Sequence, residues 1–291
     1  MGGSALESPS PGGQDSLGAI LNQNALSQGV QHTKVVGGKA LVLGDLAHCL
    51  GGSVFRKMMD LGGIALTANF EEDYCLAIKW APWSLYEIPA NVRSHLRVKP
   101  INDTRFKCSK SRLGIWFEEV FGYPLLLEPK AFEGICVAKS ERNAMHDGRL
   151  VHCPTAEVVP GLVYQRLVEN SVNAEYVEDI RVPVIGRRIP FVYLKYRLLK
   201  NRFSNENLYA RMSASDRVLK PEELRLLHSF VRHIGLQYGE LDVLRDNVDG
   251  RLYIVDANNT PYGPPNHLEP AEVQAALELM TRAFLEEFAG K

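Results

Sequence analysis

Two carboxylates and an amide oxygen that could share a cation lie near the C-terminus, in Glu240-Leu241-Asp242-Val243-Leu244-Arg245-Asp246-Asn247-Val248-Asp249-Gly250-Arg251-Leu252-Tyr253-Ile254-Val255-Asp256-Ala257-Asn258-Asn259. Both arms mix apolar residues on both faces, as in strands covered on each side. Gly250 suits the left-handed position that closes a three-residue hairpin loop with a bulge. With Val248-Asp249-Gly250 as that loop, Asn247 faces Arg251, and counting back sets Asp242 opposite Asp256. Strand side chains alternate with period two, so Asn258 shares a face with Asp256. Facing carboxylates repel, and burying them uncompensated is costly; the cluster makes sense around a divalent cation. Hard oxygen donors with no His or Cys among them suit Mg²⁺, which takes further ligands from phosphates and water. The local alternative is that Asp256-Ala257-Asn258 merely opens a turn before Pro261. A slip of one residue would break the arrangement.

The elements that must carry this hairpin alternate between strand and helix. Ala40-Leu41-Val42-Leu43 is a short apolar run ending at Gly44, Val54 to Leu61 is helix-like, and Gly62 to Thr67 reads as a second strand. This rhythm predicts a small α/β domain. Gly44 and Gly51-Gly52 do not satisfy G-x-G-x-x-G, so a glycine-bounded turn describes them better than a dinucleotide site. Ser111 to Phe121 has helical apolar spacing, Gly122-Tyr123-Pro124 ends it, and Ile135 to Lys139 reads as a strand before the polar loop Ser140 to Gly148. Strands are predicted at Val163–Val168, Ile189–Arg197, Leu241–Asp246 and Arg251–Asp256, with helices over Glu222–Tyr238 and from Pro270 to Gly290.

Composition narrows the function classes. The 291 residues are 45% hydrophobic and 23% charged, as in a globular protein. Lys plus Arg (33) nearly cancel Asp plus Glu (34), so no global field draws the chain to nucleic acid or an anionic membrane. The five cysteines are scattered without a C-x-x-C pair and mostly have apolar neighbours, which suits reduced, buried thiols in a reducing compartment. No apolar run reaches the ~20 residues that span a bilayer, and the N-terminus lacks a signal-peptide pattern. The expectation is a cytoplasmic protein. Residues 1–32, rich in Gly, Ser, Gln, Asn and Pro, are expected to form a disordered tail.

With these motifs in order, residues 100 to 265 resemble the ATP-grasp superfamily of carboxylate–amine ligases. The order runs from Lys110 near the start of a helix, through Lys139 at a strand end before a loop, to Tyr164-Gln165-Arg166-Leu167-Val168, Asp179-Ile180-Arg181-Val182, and finally Asp242, Asp256 and Asn258. The resemblance implies an α/β (α+β) fold. A small N-terminal domain (33–100) would precede two α+β subdomains (101–160 and 161–291) that clamp ATP.

It further implies that Lys110 and Lys139 meet ATP phosphates under the loop bearing Ser140, His146 and Gly148. Gln165, Leu167 and Val168 would cup adenine, and Asp179 would complete the nucleotide site. Arg181, Lys195 and Arg197 would act on the transferring phosphoryl group, with Asp242, Asp256 and Asn258 as metal ligands. Asp256 stands where the family usually has Glu, and the loop 140–148 is less glycine-rich than many. Lys107 and Arg112 could substitute for Lys110, His146 could be an ordinary loop residue, and Arg181 could pair with Glu178 or Asp179. Thr260-Pro261-Tyr262-Gly263-Pro264-Pro265 would line the acceptor side or form a simple turn.

The implied cofactors are ATP and one or two Mg²⁺, with Mn²⁺ as a substitute. The implied partners are a small-molecule or peptide carboxylate and an amine; a homodimer is also suggested, and neither nucleic acid nor membrane is. The implied chemistry is ADP-forming amide or peptide bond formation through an acyl phosphate. A phosphotransferase on the same scaffold, or a catalytically silent nucleotide-binding module, are the alternatives.

Overall fold

Three sheets organise the protein. The computed structural model describes residues 37–81, 86–103, 109–141, 145 and 147–289; the expected tail, Cys108 and His146 lie outside them. The first sheet is parallel, with β1 (Gly38–Gly44) between β2 (Ile64–Thr67) and β3 (Leu76–Trp80). Its helix Val54–Leu61 starts on Ser53, whose side chain accepts from Arg56 N, and buries Val54, Phe55, Met58 and Met59. These pack with Ile185, Tyr193, Tyr238 and Phe284, so the N-terminal unit shares one core with the C-terminal half.

The second sheet is antiparallel, with β4 (Gly134–Ser140) between β5 (Arg149–Cys153) and β6 (Leu162–Arg166). Because β6 pairs with β4, the expected boundary at 160/161 falls inside this sheet. The third sheet has five strands in the order β11 (Leu252–Asn258), β10 (Tyr238–Arg245), β7 (Tyr176–Ile185), β8 (Val192–Leu198), β9 (Tyr209–Ser213). Sequence periodicity did not mark the central strand β7.

One face of this third sheet is apolar: Ile180, Val182, Val192, Leu194, Leu241 and Val243 pack under the helices Lys110–Phe121 and Pro221–Ile234. Phe117, fully buried there, contributes roughly 1.5–3 kcal/mol by leaving water. The second of those helices is shorter than the expected 222–238. Gly235, at φ 74°, ends it in the left-handed conformation, and Tyr238 begins β10 instead. No helix among the described residues is long and apolar enough to cross a membrane.

The hairpin β10–β11 pairs Asp242 with Asp256, as expected, but by a different route. Near the turn, Arg245 pairs with Leu252 and Asp246 N donates to Arg251 O, so the loop spans 247–250, one residue longer than predicted. Gly250 does hold the left-handed conformation at φ 70°. Val243 pairs with Ile254, so Val255 is an extra residue: a β-bulge that restores the register at the aspartates.

Candidate active site

Residues opposite one another across a sheet share a face, and the registers of the third sheet put the expected polar residues of β7, β8, β10 and β11 on one side of it. Asp256 pairs with Asp242, Asp242 with Arg181, and Arg181 with Tyr193. In neighbouring rows Asn258 pairs with Glu240, and Asp179 with Lys195. This polar face opposes the second sheet across a cleft. Lys110, Lys139, Gly148, Gln165, Leu167, Val168, Asp179, Arg181, Arg197, Asp242 and Asp256 all line it. Ser140, Lys195 and Asn258 are not in its wall.

Each departure has a local cause. Asn258 Oδ1 accepts from Thr260 N at 2.9 Å and Thr260 Oγ1 at 3.3 Å, which occupies both lone pairs of a carbonyl-type oxygen. Here Asn258 Oδ1 closes a turn at Thr260. Ser140 N is held by Asp147 Oδ1 at 3.0 Å. Lys195, 3% exposed, reaches Asp242 Oδ1 at 3.3 Å from beneath the cleft.

Arg181 pairs with neither Glu178 nor Asp179. Its guanidinium donates Nε to Asp242 Oδ1 (2.8 Å), Nη2 to Asp242 Oδ2 (3.0 Å) and Nη1 to Glu240 Oε2 (3.0 Å). Arg197 Nη1 pairs with Asp179 Oδ2, and Asn170 Nδ2 donates to Asp179 Oδ1. The segment Thr260–Pro265 docks on the N-terminal unit: Tyr262 OH donates to His48 O, and Lys57 Nζ to Gly263 O, each at 2.8 Å.

The two aspartates differ electrically. Burial would raise the Asp242 carboxyl, but Arg181 and Lys195 outweigh it and hold Asp242 well below the usual carboxylate range. Burial does raise Asp256, and Lys139 and Lys110 only partly oppose this. Among the described residues the one hydrogen bond to the Asp256 side chain comes from Ala257 N, at 3.0 Å. Lys139 Nζ donates to Val255 O at 2.9 Å, the carbonyl of the bulged residue. Burial pushes the Lys139 ammonium down to about 8; Asp256 opposes that shift, and Lys110 adds to it.

The sequence reading missed two groups. Glu240, 2% exposed, lies two residues before Asp242 on the same face, and period-two counting would have found it. Arg202, Phe203, Ser204 and Asn205 line the cleft from the loop after β8. Arg202 Nη2 donates to Val168 O at 2.7 Å, and a Cβ on Gly148 would come 2.9 Å from the Phe203 ring. No local pattern marks that loop, because its place is set by packing.

A divalent cation suits Asp256, a partly buried carboxylate that lines the cleft and feels the charge of Asp242. Among the described residues no three His, Cys, Asp or Glu side chains form a ready-made cage. A ligand that offers a hydrogen-bond acceptor suits Gln165, whose buried Nε2 has no partner among the described residues.

No protein-family profile matches the sequence, and no curated protein is significantly similar to it. Solved structures are. The chain has the ATP-grasp fold. It superposes on the ATP-grasp ligase PsnB complexed with minimal precursor at a TM-score of 0.55, with 10% identity over 85% of this chain and 99% of that one. The VanG D-Ala:D-Ser ligase from Enterococcus faecalis gives 0.55, at 10% identity over 87% and 99%. The D-alanine–D-alanine ligase from Bacillus anthracis complexed with ATP gives 0.53, at 10% identity over 86% and 97%.

Proposed function

We infer that this chain is an ATP-dependent ligase that activates a substrate carboxylate and joins it to an amine, releasing ADP and phosphate. The observation that carries this reading is the meeting of Lys110, Lys139, Asp242 and Asp256 in one cleft, beside Gln165, whose buried Nε2 has no hydrogen-bond partner among the described residues. Lys110, at the start of a twelve-residue helix, and Lys139 would hold the phosphates. Gln165, Leu167 and Val168 would hold the base, and the segment through Gly148 would cover the phosphates. Asp256 and Asp242 would carry Mg²⁺, which supplies charge neutralisation at the phosphoryl oxygens.

In the reaction the substrate carboxylate oxygen bonds to the γ-phosphorus as the bond to ADP breaks. The amine nitrogen then adds to the acyl carbon, phosphate leaves with the C–O electron pair, and the amine gives up a proton. No protein nucleophile is required. The chain's own residues position the reactants, exclude water and stabilise charge. Peptide carboxylates and free amino acids are both apt substrates, since PsnB is seen with a precursor and its D-alanine-ligase counterparts are named for amino acids.

The deciding experiment incubates the protein with ATP, Mg²⁺, hydroxylamine and a panel of amino-acid and peptide carboxylates. Hydroxamate formed together with ADP supports the ligase. A stable phosphorylated product formed without amine makes it a phosphotransferase, and no ADP with any member counts against turnover.

The Lys139 ammonium yields a second expectation. Only the protonated form attracts phosphate, and its folded pKa is near 8. ADP affinity is therefore expected to fall as pH rises through about 8, by up to tenfold per unit. Lys139→Met should bind more weakly and show a flat profile over that range, as measured by calorimetry. A wild-type profile that is flat between neutrality and pH about 9.5 contradicts the assignment.

A further inference from the structure

Glu240 has no task in the reading above. It is buried, its cross-strand neighbours are Asn258 and Pro183, and neither neutralises it. Its carboxylate is hydrogen-bonded by Arg181 Nη1 at 3.0 Å. The same guanidinium covers both oxygens of Asp242, and Lys195 adds a third donor at Oδ1. A carboxylate offers about four lone-pair sites. With three taken and two cations beside it, Asp242 keeps a single lone-pair site, on Oδ2. For Asp242 to turn both oxygens to a metal, Arg181 has to release it.

We propose that Glu240 is a positioning residue that keeps Arg181 in place during that exchange. The Nη1 bond to Glu240 persists while Nε and Nη2 leave Asp242. Asp242 is thereby freed for the divalent cation, and the released N–H groups turn to phosphate oxygens. Arginine suits this role because its planar fork binds two carboxylates at once, whereas a lysine in its place meets them as a single point charge. This inference rests on the Mg²⁺–nucleotide reading and adds a device to it. It differs from a simple field effect, in which Glu240 would attract the cation regardless of Arg181.

The test is a double-mutant cycle on the full chain, reading the Mg²⁺ concentration that half-saturates ADP binding in calorimetry. Glu240→Gln leaves Nη1 only a neutral acceptor, so the charge that competes with Asp242 for Arg181 is gone, and it is expected to raise that midpoint about tenfold, a usual size for coupled contacting charges. In an Arg181→Lys background the same Glu240→Gln change is expected to shift it less than about twofold. Equal shifts in both backgrounds, or no shift in the first, overturn the proposal. Cooperative melting checks each variant. Should Glu240→Gln fail to fold, Glu240→Asp keeps the charge, withdraws it from Nη1, and is read in the same way. A wild-type chain that binds no ADP at any Mg²⁺ concentration defeats the nucleotide reading itself, a different result from equal shifts.

Discussion

Asp256→Ala is expected to lower ATP turnover by more than about a hundredfold, because even groups that only orient metal ligands are worth roughly 10- to 100-fold. The geometry makes Asp256 the more exacting of the two carboxylates. Asp242 is occupied by Arg181 and Lys195, whereas Asp256 accepts one backbone N–H and otherwise faces the lysines of the cleft. The fold should tolerate the change. Burial already raises the Asp256 carboxyl and lowers Lys139 to about 8, so neither charge is one that folding strongly favours. Losing the carboxylate leaves Lys139 able to shed its proton. The check is ADP release at saturating Mg²⁺ together with a melting curve. Full activity in a cooperatively folded variant would show that Asp256 holds no catalytic metal.

Arg181→Met is expected to cost about 3–5 kcal/mol of stability, the usual penalty for removing one partner from a buried charge pair. The side chain is 19% exposed and neutralises Glu240, 3% exposed, as well as Asp242. Methionine fills much of the volume but leaves two carboxylates on adjacent pair positions of one strand face, with Lys195 alone beside them. The penalty should shrink in acid. Asp242 is held below its ordinary value in the wild type, so its share of stability is present above the ordinary carboxylate pKa and is lost only as pH falls below it toward the depressed folded value. In the variant both carboxyls can protonate early, and the two proteins converge. Urea unfolding at neutral pH and at pH about 4 measures the difference. A variant as stable as wild type at neutral pH would mean that the Arg181 fork contributes nothing net.

Much of the candidate site is legible in the chain because strands alternate strictly. Period two alone places Asp256 with Asn258 and Glu240 with Asp242, and a glycine able to hold positive φ marks the turn at Gly250. The Asp242–Asp256 pairing came out correctly although the loop is one residue longer than the pattern suggested. Two departures cancel: the longer loop, and the bulge at Val255. A bulge depends on what its strand must reach, here the Val255 carbonyl that receives Lys139, so nothing local announces it.

The sequence by itself determined the types and the strand faces of the chemical groups: lysines at a helix start and a strand end, aspartates on paired strands, apolar residues on the opposite side of the sheet. Only the tertiary structure decided their partners. It set Arg181 on Asp242 and Glu240, turned Asn258 toward Thr260, tucked Lys195 beneath the cleft, and brought the loop with Arg202 and Phe203 against Gly148. Backbone alternation is a property of neighbouring residues and can be read from them. Which buried charge satisfies which is fixed by desolvation, and desolvation exists only once distant segments have closed over the site.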